Sequence, residues 1–170
     1  MLALDLAHSK AHPQTPQLAA DWLAERGIRA DPSTELQRGV ARLHVAAADV
    51  LRAAAHGQTP PEDAVERINA ASAAAAVAPQ LNWPADGRPR MWLSTQAGSG
   101  GHALGILARA VIDLVTGPQR ELLRICQAPG CSEVYLATNS RRLWCSATCG
   151  NRVRVARHAA KARAARDATG

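Results

Sequence analysis

All four cysteines of this 170-residue chain lie in its last third, in two close pairs. The first pair is Cys126 and Cys131, which are separated by four residues. The second pair is Cys145 and Cys149, separated by three, and thirteen residues connect the two pairs. Two short segments that each supply two thiolates can hold one Zn²⁺ ion tetrahedrally. The spacing therefore predicts a single structural zinc ion bound by Cys126, Cys131, Cys145 and Cys149.

Two disulfide bonds or an iron–sulfur cluster are the alternatives for four cysteines. The N-terminus, MLALDLAHSK, contains Asp5 and has no basic segment before its apolar residues, so it does not match a secretion signal. We therefore expect a cytoplasmic protein, in which disulfides rarely persist. The ligand type and spacing favour zinc over an iron–sulfur cluster. Because no apolar run reaches the roughly 20 residues of a membrane span, we expect no membrane contact.

Composition predicts a mainly α-helical N-terminal region. Aromatic residues make up 3% of the chain, Phe is absent, and alanine dominates the apolar residues. Alanine is the best helix former and a poor strand former. The clearest amphipathic pattern runs to about Gly57. Its apolar positions are Leu36, Val40, Leu43, Ala47, Val50, Leu51 and Ala54.

Capping residues and prolines predict where the helices begin. Residues 15–16 (Thr-Pro) and 31–32 (Asp-Pro) each fit an N-cap followed by the first helical position. Thr59 and Glu62 have the spacing of a capping box. The predicted ends of these three helices are Gly27, Gly57 and Pro79. Another helix, rich in Leu and Val, ends at residues 117–118 (Gly-Pro), where we place a domain boundary.

Residues 80–101 predict a loose hairpin or an irregular loop, because apolar residues lie on either side of the Pro-Ala-Asp-Gly segment at 84–87. Large apolar residues are scarce in this chain, so we expect those of the N-terminal domain to form its core. The alternative is the wall of a ligand pocket. The residues concerned are Trp22, Trp83, Met91 and Trp92.

The C-terminal part predicts a treble-clef-like ββα zinc finger. The turn at residues 128–130 brings the first cysteine pair together, and Ser146 is the expected N-cap of a helix that carries the second. Short strands are predicted at 134–136 and 142–144, joined by residues 138–140. A module with so small a core depends on the metal, which supplies on the order of 10 kcal/mol of folding free energy in zinc-finger peptides. The predicted domains are an α-rich domain over 1–117 and the zinc finger over 118–170.

The last third of the chain also carries the excess positive charge, which is +6 overall. Residues 1–119 hold 10 Lys and Arg against 11 Asp and Glu, whereas residues 120–170 hold 10 against 3. A basic segment on a metal-ordered helix favours binding to the phosphates of double-stranded DNA. The predicted contacts are Arg141, Arg142, Arg152, Arg154, Arg157 and Lys161. A solvated basic tail or an acidic protein partner are the alternatives.

Residues 149–152 spell Cys-Gly-Asn-Arg, and this motif with its basic helix resembles the CGNR-type zinc fingers over residues 120–165. In that family the finger follows an α-rich ABATE domain that is described for stress-induced transcription regulators. The opening LALDLAHS resembles the start of that domain. The resemblance implies a DNA-binding regulator of transcription. We further expect structural roles for Gly150, which permits close packing of the helix, and Asn151, which would bond backbone carbonyls near the knuckle.

The N-terminal domain is expected to sense a small-molecule or protein effector, or to assemble the protein, for instance as a homodimer. The competing interpretation is a zinc-dependent protein-interaction module that does not bind DNA. No Ser/His/Asp triad or pair of carboxylates can be assembled from the sequence. We therefore expect no enzymatic activity.

Overall fold

The computed structural model describes residues 1–8, 13–95, 97–139 and 141–167. The helices in these ranges are α1 (Leu2–Ala7), α2 (Pro16–Ala24), α3 (Thr34–His56), α4 (Glu62–Ala74), α5 (Ser99–Thr116) and α6 (Ala147–Asp167). The strands are β1 (Val77–Asn82), β2 (Arg90–Thr95), β3 (Leu123–Ile125) and β4 (Val134–Leu136), and a 3-10 helix spans Pro118–Leu122. The predicted fold class, an α-rich region with a hairpin followed by a small finger, is confirmed.

Helix α3 lies at the centre of the N-terminal region and contacts α1, α2, α4 and α5. Its predicted apolar positions are confirmed, because all of them are buried except Ala54, which is half-buried at the edge of the core. The core uses many small side chains, among them the fully buried Ala103 and Ala108 of α5. Helices α4 and α5 pack so closely that a Cβ atom on Gly105 would collide with Ala75.

The N-cap prediction is confirmed for α2 and wrong for α3. The Thr15 hydroxyl accepts a hydrogen bond from the Leu18 amide at 3.2 Å, as the sequence predicts. Helix α3 is capped by Ser33 rather than by the predicted Asp31. Asp31 is engaged elsewhere, because its carboxylate accepts a 2.7 Å hydrogen bond from the Ser99 hydroxyl at the start of α5. A long-range contact has therefore replaced the local cap.

Helix α4 and the following hairpin also differ from the prediction in detail. The capping box from Thr59 to Glu62 is wrong, because α4 begins after Pro61 without a side-chain cap. The helix ends at Ala74 rather than near Pro79, which pairs with Leu93 in the β1–β2 hairpin. Of the two options for this region, the structure shows the hairpin, with antiparallel pairing from Val77–Thr95 to Asn82–Arg90.

The expectation that the large apolar residues form the core is wrong for two of them. Trp83 is 66% exposed and Met91 is 72% exposed. The physical reason is that the strands of the hairpin pack against each other and little against the helices, so that every residue of β1 is exposed. Trp22 is partly buried against the core, and the side chain of Trp92 lies outside the described part of the chain.

The strand predicted at 142–144 is also wrong. Strand β4 pairs instead with β3, which precedes the first cysteine pair, in a register that places Leu123 opposite Leu136. Leu123 is 1% exposed, and Val134 and Leu136 pack against the same helical core. Burial of these side chains on the helices favours the β3–β4 pairing. Ser140, in the predicted connection, lies outside the described residues.

The predicted domain boundary falls between the end of α5 and the 3-10 helix. Residues after this boundary nevertheless contribute to the helical core through β3 and β4. His8 and Glu133, on either side of the boundary, are in contact at 3.9 Å. Among the described helices, none has the length and apolar content that a membrane crossing needs.

Candidate metal centre and the basic helix

The first pair of cysteines flanks a tight turn between β3 and β4. The Cys131 amide donates a 3.0 Å hydrogen bond to the Ala128 carbonyl, which closes the turn. Pro129 and Gly130 occupy its two central positions, and Gly130 has a φ of 70° that side-chain-bearing residues rarely adopt. The turn predicted from the sequence is thus present, and it brings Cys126 and Cys131 to the same side.

The second pair lies at the start of α6. The hydroxyl of Ser146 accepts a hydrogen bond from the Cys149 amide at 3.3 Å, so Ser146 caps the helix as predicted. Cys145 precedes the cap and Cys149 lies in the first turn. The positive end of a helix dipole also favours thiolates at this point. The metal centre therefore connects the turn between β3 and β4 to the first turn of α6.

The four sulfur atoms lie within 4.8 Å of one another. The Cys145 sulfur is 3.8 Å from that of Cys131 and 3.7 Å from that of Cys149. Ligands about 2.3 Å from a tetrahedral zinc ion lie roughly 3.8 Å apart. All four cysteines are free, and these separations are far longer than the about 2.05 Å of a disulfide bond. The geometry fits one zinc ion, which would cross-link the turn and the helix.

Burial and contacts between the four thiols shift the pKa values of three of them. Burial, with hydrogen bonds from the neighbouring thiols, raises the pKa of Cys145 to about 12, and burial also raises the pKa of Cys131. Burial opposes ionisation of Cys126 as well, but backbone hydrogen bonds, first that of Cys145, leave its pKa below the ordinary value. Zinc binds thiolates, so loading this centre must release protons.

A small apolar cluster supports the centre. Cys126, Ala128 and Tyr135 are buried, and Trp144 and Val153 pack partly against them. Leu136 packs against the helical core, and Leu143 and Val155 are 38% and 69% exposed. So few buried side chains cannot stabilise a module by themselves, which agrees with dependence on a metal.

Arg142 lies beside this cluster and is engaged with the backbone. Its guanidinium donates to the carbonyl oxygens of Trp144 at 3.0 Å and Cys145 at 2.5 Å. Its Cζ atom is 4.9 Å from the centre of the Tyr135 ring. Arg141 and Arg142 are both exposed, but of Arg141 only the backbone amide, bonded to Asn139, shows a hydrogen bond among the described residues. Two adjacent predicted DNA contacts therefore have different surroundings.

Helix α6 is exposed along most of its length. From Asn151 to Arg166, every residue whose side chain is described is exposed, except the half-buried Val153. Arg154, Arg157 and Lys161 follow at helical spacing along α6 and share one face. None of these three side chains forms an ion pair with an acidic group in the described part of the chain.

Residues of the CGNR motif connect the metal centre to this helix. Gly150 is buried, and a Cβ atom there would lie 3.3 Å from the Trp144 ring, which agrees with close packing. Arg152 approaches the Cys149 sulfur at 3.8 Å. Asn151 is exposed and accepts a 2.6 Å hydrogen bond from Arg154. The hydrogen bond that the structure shows for Asn151 thus orients a basic side chain rather than joining backbone carbonyls.

Sequence reasoning missed two interactions with the sulfur ligands. The Cys145 amide donates to the Cys126 sulfur at 3.4 Å, and Arg152 supplies a cation close to Cys149. The spacing of Arg152, three residues after a ligand on the same helix, is the one signal that could have predicted the second. Nothing in the sequence distinguishes Arg142 from Arg141.

Comparison with known families agrees with this geometry. Residues 1–118 match the ABATE family, which is described as "Putative stress-induced transcription regulator", and residues 123–162 match the CGNR zinc finger. A search of curated proteins found no significant match. The two family matches indicate a zinc-binding regulator. The chain belongs to the ABATE family, and a CGNR zinc finger follows its ABATE domain.

Proposed function

We propose that this protein is a transcription regulator whose zinc finger binds double-stranded DNA through α6. The observation that carries the proposal is the exposure of a basic helix whose first turn contains a predicted zinc ligand. The metal would fix the direction of the helix, and the exposed arginines would contact the phosphates.

The charge of α6 supports this role. The helix contains six Lys and Arg residues, and its one acidic residue, Asp167, is at its C-terminal end. An α-helix fits the major groove of B-DNA, where arginine can also contact guanine edges. The proposed phosphate contacts are Arg141, Arg152, Arg154, Arg157 and Lys161.

The N-terminal domain is proposed to receive the signal. A cleft of about 620 Å³ opens between α4, α5 and the start of β1, and its size is typical of small-molecule sites. Ala75, Val77 and Ile106 give it apolar walls, while His102 and Arg109 add polar groups. These features support binding of a small, largely apolar effector.

Titration of the full-length protein into a fluorescently labelled duplex of about 30 base pairs tests the proposal. With roughly five phosphate contacts, the logarithm of the affinity should fall with the logarithm of salt concentration at a slope of about −4 to −5. A random-sequence duplex suffices, because non-specific affinity depends on the same contacts. Absence of binding at 50 mM salt would contradict the proposal.

The exposed apolar residues of the β1–β2 hairpin favour a second candidate, a protein-interaction module. Leu81, Trp83 and Met91 are each about two-thirds exposed or more, and clustered exposed apolar side chains often mark a protein interface. A second copy of the chain is the partner that we propose for this surface. Sedimentation velocity of the parent and of a Leu81→Ser/Met91→Ser variant tests this, since a dimer formed by the hairpin should dissociate in the variant.

A further inference from the structure

We propose that Arg142 is a positioning residue for the zinc centre, and that it holds the segment leading to the second ligand pair in the geometry that zinc binds. Its neighbour Arg141 has no such role. This inference concerns the metal centre and does not depend on DNA binding.

The guanidinium of Arg142 gathers three carbonyl oxygens from two parts of the finger. It donates to the carbonyl oxygen of Trp144 at 3.0 Å, just before the second ligand pair, and to that of the ligand Cys145 at 2.5 Å. A longer contact of 3.5 Å reaches Leu136 at the end of β4. Three of the five N–H groups of the side chain are engaged in this way. Arg142 therefore ties the segment at Cys145 to the β3–β4 hairpin.

Tyr135 in turn holds Arg142 in place. It is 5% exposed, and its hydroxyl donates a 2.6 Å hydrogen bond to the Arg142 carbonyl. The Arg142 guanidinium lies over the Tyr135 ring, where a cation is attracted to the aromatic face. Backbone and side chain of Arg142 are thus both fixed by one buried tyrosine.

The link to the metal runs through a single peptide unit. Arg142 binds the Trp144 carbonyl, and the amide of that same peptide, carried by Cys145, donates to the Cys126 sulfur at 3.4 Å. A cation at the carbonyl polarises the peptide and makes its amide a stronger donor. Orientation of this peptide therefore affects two of the four ligands, Cys126 through its hydrogen bond and Cys145 through its position.

The positive charge of Arg142 also favours zinc binding. Four thiolates around one Zn²⁺ would carry a net charge of −2, and the Arg142 guanidinium places a positive charge on the carbonyl oxygen of the ligand Cys145. Lysine at this position would keep the charge but could not reach three carbonyls with the planar geometry of arginine. Loss of partners around metal ligands typically lowers metal affinity 10- to 100-fold.

Zinc affinity of the full-length protein, measured by competition with the chromophoric chelator 4-(2-pyridylazo)resorcinol, tests the inference. We expect Arg142→Gln to weaken zinc binding 10- to 100-fold and Arg142→Lys to recover only part of that loss. Arg141→Gln is the matched control, because it removes an identical charge one residue away and should change the affinity less than about twofold. Equal affinities for the Arg142→Gln and Arg141→Gln variants would overturn the inference.

If the Arg142→Gln variant does not fold, a milder substitution still tests the inference. Tyr135→Phe deletes only the hydroxyl that bonds the Arg142 carbonyl, and it should lower zinc affinity severalfold and shift the visible absorption bands of bound Co²⁺, which report ligand geometry. An unchanged affinity together with an unchanged Co²⁺ spectrum would contradict the proposed arrangement. Neither readout involves DNA, so a failure of the DNA-binding proposal leaves this test intact.

Discussion

Helices α3 and α6 are nearly equal in length, at 23 and 21 residues, and each contains seven alanines. Helix α3 buries a continuous apolar stripe against four other helices. Helix α6 buries almost nothing after its first turn and carries six basic residues. A helix of this kind gains little from packing, so its order must come from its attachment. The comparison separates a helix that stabilises the fold from one that is available to a partner.

The largest expected effect is the loss of order in α6 when the metal centre is broken. Cys145→Ser removes one ligand, and zinc sites contribute on the order of 10 kcal/mol in peptides of this type. Hydrogen exchange measured by mass spectrometry should show α6 amides losing protection while those of α3 keep it. Ser146→Ala is the control, because it removes the helix cap and keeps all four cysteines. Equal protection of α6 in the Cys145→Ser variant and the parent would remove the distinction between the two helices.

A core substitution in α3 should have the next largest effect. Leu51 is fully buried, and Leu51→Ala should lower the free energy of unfolding by about 2–5 kcal/mol. Zinc affinity should not change, because Leu51 does not contact the metal centre. Chemical denaturation followed by circular dichroism, together with chelator competition, measures both quantities. A loss below 1 kcal/mol would show that α3 is not the central helix of the core.

These two helices also show how far the sequence predicts the structure. Spacing alone located the four ligands, and helical periodicity located Leu36 to Leu51 in the core, because both depend on local chain geometry. The partner of β4 depended on burial of Leu123 in a distant helical core, and α3 took Ser33 as its cap because Asp31 bonds Ser99. Such long-range competition has no local signal. The exposed position of Trp83 was missed because scarcity of large apolar residues does not determine where they lie.

A smaller effect is expected when two charges on one face of α6 are removed. Arg154→Gln/Arg157→Gln should weaken DNA binding about tenfold at low salt and reduce the salt slope by about two, while zinc content stays the same. The matched control is Arg163→Gln/Arg166→Gln, which removes the same charge from the opposite face. Fluorescence anisotropy with a labelled duplex measures both variants. Equal losses for the two double variants would contradict the assignment of the face.

The smallest effect is expected for a substitution at an exposed apolar position of α6. Val155 of α6 is 69% exposed, and Val155→Ala should change the free energy of unfolding by less than about 0.5 kcal/mol. The corresponding change in α3, Val40→Ala, removes a fully buried side chain and should cost more than about 1 kcal/mol. Denaturant titration of both variants gives the difference directly. Similar costs would mean that α6 packs against the protein in solution.

We propose that the metal orders α6 for contact with DNA. The most direct test is the affinity of the full-length protein for duplex DNA at 50 mM salt, measured with zinc bound, after removal by a chelator, and after zinc is restored. We predict that affinity falls at least tenfold on removal and returns when zinc is added back, in parallel with the protection of α6 amides. Equal affinity of the zinc-loaded and zinc-free protein would contradict the account.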